Sequence, residues 1–500
     1  MPPNNNKNYI LKFFRQSSHY MFGHILLMLS GFISFPILTR VFSRSDYGLL
    51  SLISISLWIA LAFSKAGLQE AAIRFYNEFK TGKRKESITV FYTTLFIGSL
   101  FFALLIAALV AVAGYFLVPD SQSTDVRTLI WYVVIMIFSG SMFLRVTNFL
   151  RAEQRTKFLN FTLVSRHYVG LTLGILFIFL IAEKLQSYYS GIIIAELSIV
   201  FIMTLILIKN NKLKLNDFSI TFLKECLIFG FPLIGFEMAS FLIKSADRYI
   251  IQFMIGIEAV GIYSAGSNLC QYLKDGILFP VLYAVTPLYM QLWNEEGAEK
   301  TKQFISKITN YLILLVTPVT FGFIALSKQL IIILASAKFE KSASIIPFIL
   351  PGAIFWGLSP LFAAGLYIHK KTKKLTQLVF IGVGINILLN ILLIPFFHLI
   401  GAAIATLSTY FIIMIMLVKI SNKYLKITIQ FRLLAKSIFA SVIMFLIIQY
   451  INIGTGIFSL LLEICVGAFV YIVILLTIDI NIRKLILNII IKKISFKAAN

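Results

Sequence analysis

Apolar runs of about 20 residues recur along nearly the whole 500-residue chain and restrict what it can fold into. As a helix, each run is long enough to cross a hydrocarbon core about 30 Å thick. A transmembrane β-barrel needs segments in which polar and apolar residues alternate, and these runs lack that alternation. The sequence therefore predicts an all-α polytopic membrane protein.

We predict about fourteen transmembrane helices. Hydrophobic residues make up 59% of the chain and charged residues 13%, with a mean hydropathy of +0.89, whereas about a quarter of the residues in a soluble domain are charged. The predicted spans lie near residues 20–39, 46–64, 88–118, 126–144, 159–181, 188–208, 222–243, 259–290, 304–326, 346–368, 375–397, 400–418, 432–451 and 456–478.

The basic residues predict the orientation of these helices. The formal charge is +24, but Lys and Arg cluster between apolar runs, which favours cytoplasmic loops over a nucleic-acid partner. Assigning alternate loops to opposite sides places 34 Lys and Arg on one side and nine on the other. Segments 65–85 and 145–157 are then cytoplasmic loops. We expect both termini in the cytoplasm and an even number of spans.

No cofactor is indicated by the cysteine and N-terminal patterns. Cys226, Cys270 and Cys465 lie in or beside predicted spans at no metal-ligand spacing, so we expect neither a metal site nor a disulfide framework. The first apolar run continues past Leu38 without a small-residue cleavage pattern, which predicts an uncleaved first helix.

Short motifs repeat at nearly one offset and suggest an internal duplication. Gly48, Asn77 and Thr156 lie in motifs that recur 213, 217 and 216 residues later, at equivalent places in the helix order. We predict two like-oriented six-helix lobes with a substrate path between them. The predicted boundaries are 1–215 for the first lobe, 216–425 for the second, and 426–500 for two additional helices with a basic tail.

Several motifs in this order carry a family resemblance that covers almost the full chain. They are Leu38-Thr39-Arg40-Val41-Phe42 before Asp46-Tyr47-Gly48, Ala66-Gly67-Leu68 before Ile73-Arg74-Phe75, Pro232-Leu233 with Asp247-Arg248-Tyr249, Gly261-Ile262-Tyr263-Ser264, and Asn386-Ile387-Leu388-Leu389-Asn390 with Gly401-Ala402-Ala403. In these motifs the chain resembles the polysaccharide exporter branch of the multidrug/oligosaccharidyl-lipid/polysaccharide (MOP) superfamily, the Wzx-type flippases of O-antigen and capsule units.

The resemblance implies a transporter without covalent chemistry in the bacterial plasma membrane. It would move an undecaprenyl-pyrophosphate-linked oligosaccharide from the cytoplasmic to the outer leaflet by alternating access. A glycan polymerase and a chain-length regulator of the same pathway are candidate partners, besides the lipid bilayer. Relatives often carry several basic residues in a central cavity; here Lys274 lies beside Asp275, which argues against a lipid II substrate.

Four basic residues are candidates for substrate binding. Lys274 lies about 15 residues into a predicted helix, near the middle of the membrane and too deep for easy snorkelling. Arg166 lies near the cytoplasmic end of its span, where snorkelling is the alternative. Arg248 is expected at the outer mouth, and Arg74 in the basic segment near the cytoplasmic entrance, where it could attract lipid phosphate or be a solvated loop residue.

Four acidic residues are candidates for ion coupling or for structural pairing. Glu237 is expected at the depth of Lys274 in the preceding antiparallel helix, so the two could meet, either as a structural lock or as part of the substrate or proton path. Asp275 is adjacent to Lys274. Asp247 is expected to form an exposed ion pair with its neighbour, and Glu196 either couples an ion or makes structural hydrogen bonds.

Two other classes of function remain open at the level of sequence. A drug or metabolite antiporter of the related multidrug branch would need an acidic cavity rather than a basic one. A membrane glycosyltransferase or glycan polymerase would need catalytic carboxylates on a long outer loop, and the predicted outer loops are all short.

Overall fold

The computed structural model describes residues 4–117, 124–451, 454, 456–480 and 483. Nearly all of these residues are helical, and none of them lies in a β-strand. The all-α architecture predicted from the apolar runs is therefore confirmed for the part of the chain that the structure describes. The predicted basic tail beyond residue 483 lies outside the described residues.

Fifteen α-helices follow one another along the described chain, with short 3₁₀ segments at Leu215–Asp217 and Ala337–Ile345. Their bounds are α1 Asn4–Val41, α2 Arg44–Lys65, α3 Leu68–Lys80, α4 Ile88–Leu117, α5 Thr124–Ala152, α6 Thr156–Leu180, α7 Leu185–Lys209, α8 Ile220–Met254, α9 Ile257–Ala325, α10 Ser327–Leu334, α11 Ile346–Phe362, α12 Ala364–Ile368, α13 Thr372–Ser421, α14 Phe431–Ile451 and α15 Ile457–Ile478.

Twelve helical stretches within the described residues are long and apolar enough to cross a membrane. Two of them are divided by non-helical backbone, α9 at Gly297 (φ 83°) and α13 at His398 (φ 51°). Each of these two helices contains a pair of the predicted spans. The prediction of about fourteen spans is therefore consistent with twelve stretches, because two of them hold two predicted spans each.

The chain divides into two compact units, Met1–Gly261 and Ile262–Asn500. The boundary falls near the start of α9, and α8 belongs to the first unit because it packs against α2, α3 and α4. The lobe boundaries predicted from the internal repeat, after residues 215 and 425, stay a prediction.

The core of the first unit contains α3, a helix that the sequence analysis missed. Segment 65–85 was expected to be a basic loop, but five apolar residues at helical spacing bury one face of α3 among α4, α5 and α8. These residues are Leu68, Ala71, Ala72, Phe75 and Phe79. The basic residues on the opposite face lower the average hydropathy, so a search for apolar runs does not detect this helix.

The second unit holds α14 and α15 as an antiparallel pair. The hydroxyls of Ser437 and Tyr471 are 2.9 Å apart, and Lys436 Nζ lies 2.9 Å from Asp479 Oδ2. Tyr471 also donates a hydrogen bond to the Leu314 carbonyl of α9, at 3.0 Å. The two helices without a counterpart in the repeat are therefore bound to α9 through buried polar contacts.

Two glycines of the first unit bring the α2–α3 connection against α8. Gly67 precedes α3 with φ 71°, a conformation that costs glycine little, and its backbone contacts that of Gly230 in α8. A Cβ atom on either glycine would overlap the backbone of the other. The close approach therefore requires glycine on both sides.

We predict that Gly230→Ala destabilises the protein, since the backbones must separate to admit a methyl group. Such overpacking costs about 1–3 kcal/mol, so the purified protein should melt at a clearly lower temperature. Gly384→Ala in α13 is the matched control, because a Cβ atom there would meet no other atom within 4 Å. Equal melting temperatures for the two variants would contradict the close contact.

Candidate functional site

The apolar stretch Arg44–Lys80 is interrupted between α2 and α3. Ala66 (φ 48°) and Gly67 (φ 71°) are both left-handed, so the chain turns sharply after Lys65. The Ala66 N–H closes α2 by bonding to the Phe63 carbonyl, whereas α3 begins without a side-chain cap. Interrupted helices are tolerated at membrane depth where their backbone is buried in protein or lines a cavity.

A cavity of about 400 Å³ lies at this interruption, within the first unit. Its volume is in the range of about 300–1,000 Å³ typical of small-molecule sites. Five polar or charged side chains, two apolar side chains and two glycines line it. They come from the end of α2, the turn, the start of α3 and the middle of α8. The lining residues are Lys65, Gly67, Gln69, Glu70, Gly230, Leu233, Ile234, Glu237 and Ser240.

An ion pair joins the two sides of the cavity, with Lys65 Nζ bonded to Glu237 Oε1. The Lys65 side chain is only 9% exposed, whereas that of Glu237 is 43% exposed. A buried ammonium without an anion costs several kcal/mol, so Lys65 requires a negative partner. Because the carboxylate is the accessible member, it is the group that another anion can replace.

A second buried cation, Arg145, supports the turn from behind. Its Nε donates to Ser99 Oγ at 2.5 Å and its Nη1 to the Leu68 carbonyl at 3.3 Å. The structure describes no carboxylate within ion-pair distance of this guanidinium, and the two oxygens that it contacts are uncharged. Arg145 was expected in a cytoplasmic loop; this is wrong, because α5 continues to Ala152.

Arg84, in the loop after α3, ties α3 to α8. Its Nε lies 2.9 Å from Glu78 Oε2 and its Nη2 lies 2.6 Å from Glu225 Oε2. Burial alone would lower the pKa of Arg84, but hydrogen bonds to Glu225 and Glu78 outweigh it and raise the pKa above its usual value. The guanidinium therefore stays charged at any ordinary pH.

Arg166 and Glu196, two predicted site residues, lie together at the centre of the α6–α7 hairpin. Arg166 Nε donates to Glu196 Oε1 at 2.9 Å, and its Nη2 bonds to the same oxygen. Ser139 of α5 donates to Glu196 Oε2 at 2.5 Å, and the carboxylate is almost fully buried. This arrangement joins α5, α6 and α7. The functional roles of both residues stay a prediction.

Asp247 and Arg248 lie inside α8 rather than in an outer loop, because this helix continues to Met254. Arg248 Nη1 is 3.3 Å from Asp247 Oδ1 and 2.9 Å from the Lys244 carbonyl. Both side chains are buried, so the expected exposed ion pair is wrong. Their functional role stays a prediction.

Glu237 and Lys274, which the sequence analysis placed at one depth, each have a partner in their own unit. Lys274 Nζ lies 2.6 Å from Gln271 Oε1 and 2.9 Å from Asp275 Oδ1, while Glu237 bonds to Lys65. Neither charge therefore needs the other for neutralisation. Arg74 is exposed on α3, with its guanidinium 4.3 Å from the ring centre of Phe229 in α8.

The fold is that of a multi-pass membrane protein and is similar to the folds of a flippase and of multidrug transporters. The lipid II flippase MurJ in its inward closed conformation matches 95% of this chain over 100% of its own length, with a TM-score of 0.75 and 19% identity. An inward-facing multidrug resistance MATE transporter of the MOP superfamily matches 80% of the chain over 94% of its length, with a TM-score of 0.62 and 14% identity.

The sequence identifies the family. The profile described as "Polysaccharide biosynthesis protein" matches residues 37–344, and the chain belongs to that family. An uncharacterized membrane protein of Methanocaldococcus jannaschii is 25% identical over 426 residues, which is 80% of this chain and 83% of that protein. The resemblance to the MOP superfamily noted from the motifs is thereby confirmed.

We predict that Arg166 and Glu196 are energetically coupled. Arg166→Met leaves a buried carboxylate unpaired, which costs about 3–5 kcal/mol, and Arg166→Met combined with Glu196→Gln should restore much of that loss. The losses of melting temperature should therefore be strongly non-additive. The exposed pair Glu299 and Lys302 of α9 is the control, and the losses of melting temperature from its two substitutions should be additive. Additive losses at Arg166 and Glu196 would contradict a structural pair.

Proposed function

We propose that the protein is a flippase for undecaprenyl-pyrophosphate-linked oligosaccharides. It moves them from the cytoplasmic to the outer leaflet of the bacterial plasma membrane by alternating access, with both of its own termini in the cytoplasm. Membership of the polysaccharide biosynthesis family and the fold it shares with the lipid II flippase MurJ support this proposal. The transport involves no covalent step, so the protein is not an enzyme.

The observation that carries the proposal is the buried ammonium of Lys65 in a cavity beside an interrupted membrane helix. A diphosphate entering this cavity takes the place of the Glu237 carboxylate as the counter-ion of Lys65. The uncapped first turn of α3 adds backbone N–H groups and the positive end of its dipole. Arg145 behind the Leu68 carbonyl adds a further positive field.

The exchange of counter-ions also links binding to conformation. Glu237 lies on α8 and Lys65 on α2, so their ion pair joins two helices of the first unit. A diphosphate that neutralises Lys65 removes that connection without leaving a buried charge. A ligand shifts a conformational equilibrium only if it binds one conformation more tightly than the other. We infer that the diphosphate favours a conformation in which the contact between Lys65 and Glu237 is absent, and this preference would shift the equilibrium.

The other predicted cations receive auxiliary roles in this proposal. Lys274 with its exposed neighbour Asp275 is a second candidate contact for the diphosphate or the glycan. The exposed guanidinium of Arg74 attracts the lipid head group before entry. Arg248 and Asp247 contribute to the path as a buried pair in α8. A glycan polymerase and a chain-length regulator would act on the product.

One observation favours a cation-coupled antiporter as the second candidate. The cavity holds two carboxylates, Glu70 and Glu237, against one ammonium, Lys65. An antiporter would use these carboxylates for the exchange of a proton or metal cation against a cationic substrate. In that case the unchanged protein transports a cationic dye in membrane vesicles and Glu237→Gln abolishes this transport, whereas the flippase proposal expects no dye transport by either protein.

We predict that Lys65→Ala lowers glycan export at least tenfold while the protein still reaches the membrane. Removing a buried, hydrogen-bonded charge costs about 2–5 kcal/mol of binding, which exceeds one factor of ten. Export is measured as surface glycan in cells whose own gene is deleted, with protein level measured in isolated membranes. Lys83→Ala, an exposed lysine of the loop after α3, is the control and should export normally.

Two further variants separate folding from transport in this experiment. Lys65→Ala with Glu237→Gln removes both charges and should restore the protein level if the single variant is unstable, but not the export. Lys65→Arg keeps the positive charge and should retain part of the export. Normal export by Lys65→Ala would refute the role of this cavity.

We predict that Lys274→Ala also reduces glycan export, but by less than Lys65→Ala. Asp275 is 43% exposed and tolerates the loss of its partner, so the protein level should be unchanged. The same surface-glycan assay applies, with Lys300→Ala, an exposed lysine of α9, as the control. Normal export in Lys274→Ala removes this residue from the proposed path.

A further inference from the structure

Three pairs of side chains lie along the surface that α2 and α8 share within the first unit. The ion pair of Lys65 with Glu237 is the first. The rings of Trp58 and Phe241 are stacked, with centroids 5.9 Å apart and planes at 28°. The hydroxyls of Ser56 and Tyr249 are 2.7 Å apart.

The aromatic stack lies on the same face of each helix as the ion pair. Trp58 precedes Lys65 by two helical turns, about 10 Å along α2, and Phe241 follows Glu237 by one turn of α8. A diphosphate at Lys65 would therefore have the stack about 10 Å away along the same groove between the helices. The sugars nearest to the diphosphate would extend over that distance.

Trp58 lies in an unusual place for a tryptophan of a membrane helix. It is 57% exposed and lies about 20 Å along α2 from Arg44, whereas tryptophans facing lipid concentrate at the membrane interfaces. No acceptor among the described residues bonds to its indole N–H. An unpaired N–H facing hydrocarbon is costly, so this face of α2 meets water or a polar ligand.

The polar groups along the same surface lead to the same conclusion. Glu237 is partly exposed, and the hydroxyls of Ser56 and Tyr249 satisfy each other while the Tyr249 side chain stays partly exposed. A carboxylate, an indole N–H and two hydroxyls on one surface do not suit contact with acyl chains. The groove between α2 and α8 therefore carries polar groups on both sides of the aromatic stack, at Lys65 and Glu237 and at Ser56 and Tyr249.

We propose that Trp58, held by Phe241, is the platform on which a sugar ring of the translocated glycan stacks while the diphosphate is bound at Lys65. This inference rests on the proposed function. One indole face packs on Phe241, and the exposed face can receive the C–H face of a pyranose, which suits the negative face of an aromatic ring. The indole N–H can donate to a sugar hydroxyl. Because the stack already holds the ring, little rotamer freedom is lost on binding.

The test compares binding of two lipids to the purified full-length protein in lipid nanodiscs. The first probe is undecaprenyl diphosphate, which carries no sugar. The second is the lipid-linked oligosaccharide fraction that accumulates in cells depleted of this protein. The variants are Trp58→Leu, Trp58→Phe and Lys65→Ala. Trp131→Leu is the matched control, since Trp131 is equally exposed but lies near the start of α5.

We predict that Trp58→Leu weakens binding of the oligosaccharide-bearing lipid about tenfold and leaves undecaprenyl diphosphate binding unchanged. Trp58→Phe should lose only about threefold, because it keeps the stacking surface without the N–H. Lys65→Ala should weaken the binding of both lipids, and Trp131→Leu should weaken the binding of neither. Unchanged melting temperatures of the Trp58 variants show that they fold.

Three outcomes would overturn the platform. If Trp58→Leu weakens the binding of both lipids equally, or of neither lipid, Trp58 does not recognise sugar. The proposed function still stands in that case if the binding of both lipids depends on Lys65. If Trp131→Leu has the same effect as Trp58→Leu, the effect is not specific to this groove. If the unchanged protein binds neither lipid, the proposed function fails and the platform fails with it.

Discussion

The contact between Gly67 and Gly230 determines where the polar groups of the first unit lie. It lets the backbone of the interrupted helix touch α8, which no side chain larger than hydrogen permits. The left-handed Ala66 and Gly67 then end α2 within the apolar stretch and start α3 on a new axis. As a consequence Lys65 forms an ion pair with Glu237 at the cavity, instead of extending into the aqueous loop that the sequence suggests.

Three cations inside the first unit have different kinds of partner, and this decides which of them can bind a ligand. Arg166 is bound to the buried carboxylate of Glu196, which also accepts a hydrogen bond from Ser139. Replacing this partner of Arg166 by another anion would leave the Glu196 carboxylate buried without a cation. Arg145 bonds only to neutral oxygens. Lys65 alone of these three has a carboxylate partner that is largely accessible. An incoming anion therefore replaces a partner most easily at Lys65.

The sequence was sufficient to predict most of the membrane-spanning helices, because a helix that crosses the hydrocarbon core must consist of about 20 mainly apolar residues. It failed at α3, because the charged residues on one face of this helix lower its average hydropathy. It also failed at Lys65 and Arg145, because these buried residues lie at the ends of apolar runs and were therefore assigned to loops. The pairing of Arg166 with Glu196 had a signal that was not used. Arg166 lies 14 residues before the end of α6 and Glu196 lies 11 residues after the start of α7, and residues at similar distances from the turn of an antiparallel hairpin can meet.

The aromatic stack had no signal of its own, since an isolated Trp or Phe in an apolar run looks like any residue that faces lipid or core. Only the structure shows that Trp58 and Phe241 meet and that the indole is exposed beside polar groups. The motif Ala66-Gly67-Leu68 was noted for its resemblance to a family. Its physical meaning, a left-handed turn inside a membrane helix, needed the backbone angles.

The central claim is that water and a charged head group reach the cavity at the α2–α3 turn. It is tested most directly by labelling Ser240→Cys, a residue of the cavity wall, with a charged, membrane-impermeant thiol reagent. The exposed Cys465 is replaced by Ser, while the buried Cys226 and Cys270 stay. We predict fast labelling that the lipid-linked oligosaccharide slows. Labelling only by a lipid-soluble maleimide, unaffected by that lipid, would contradict the account.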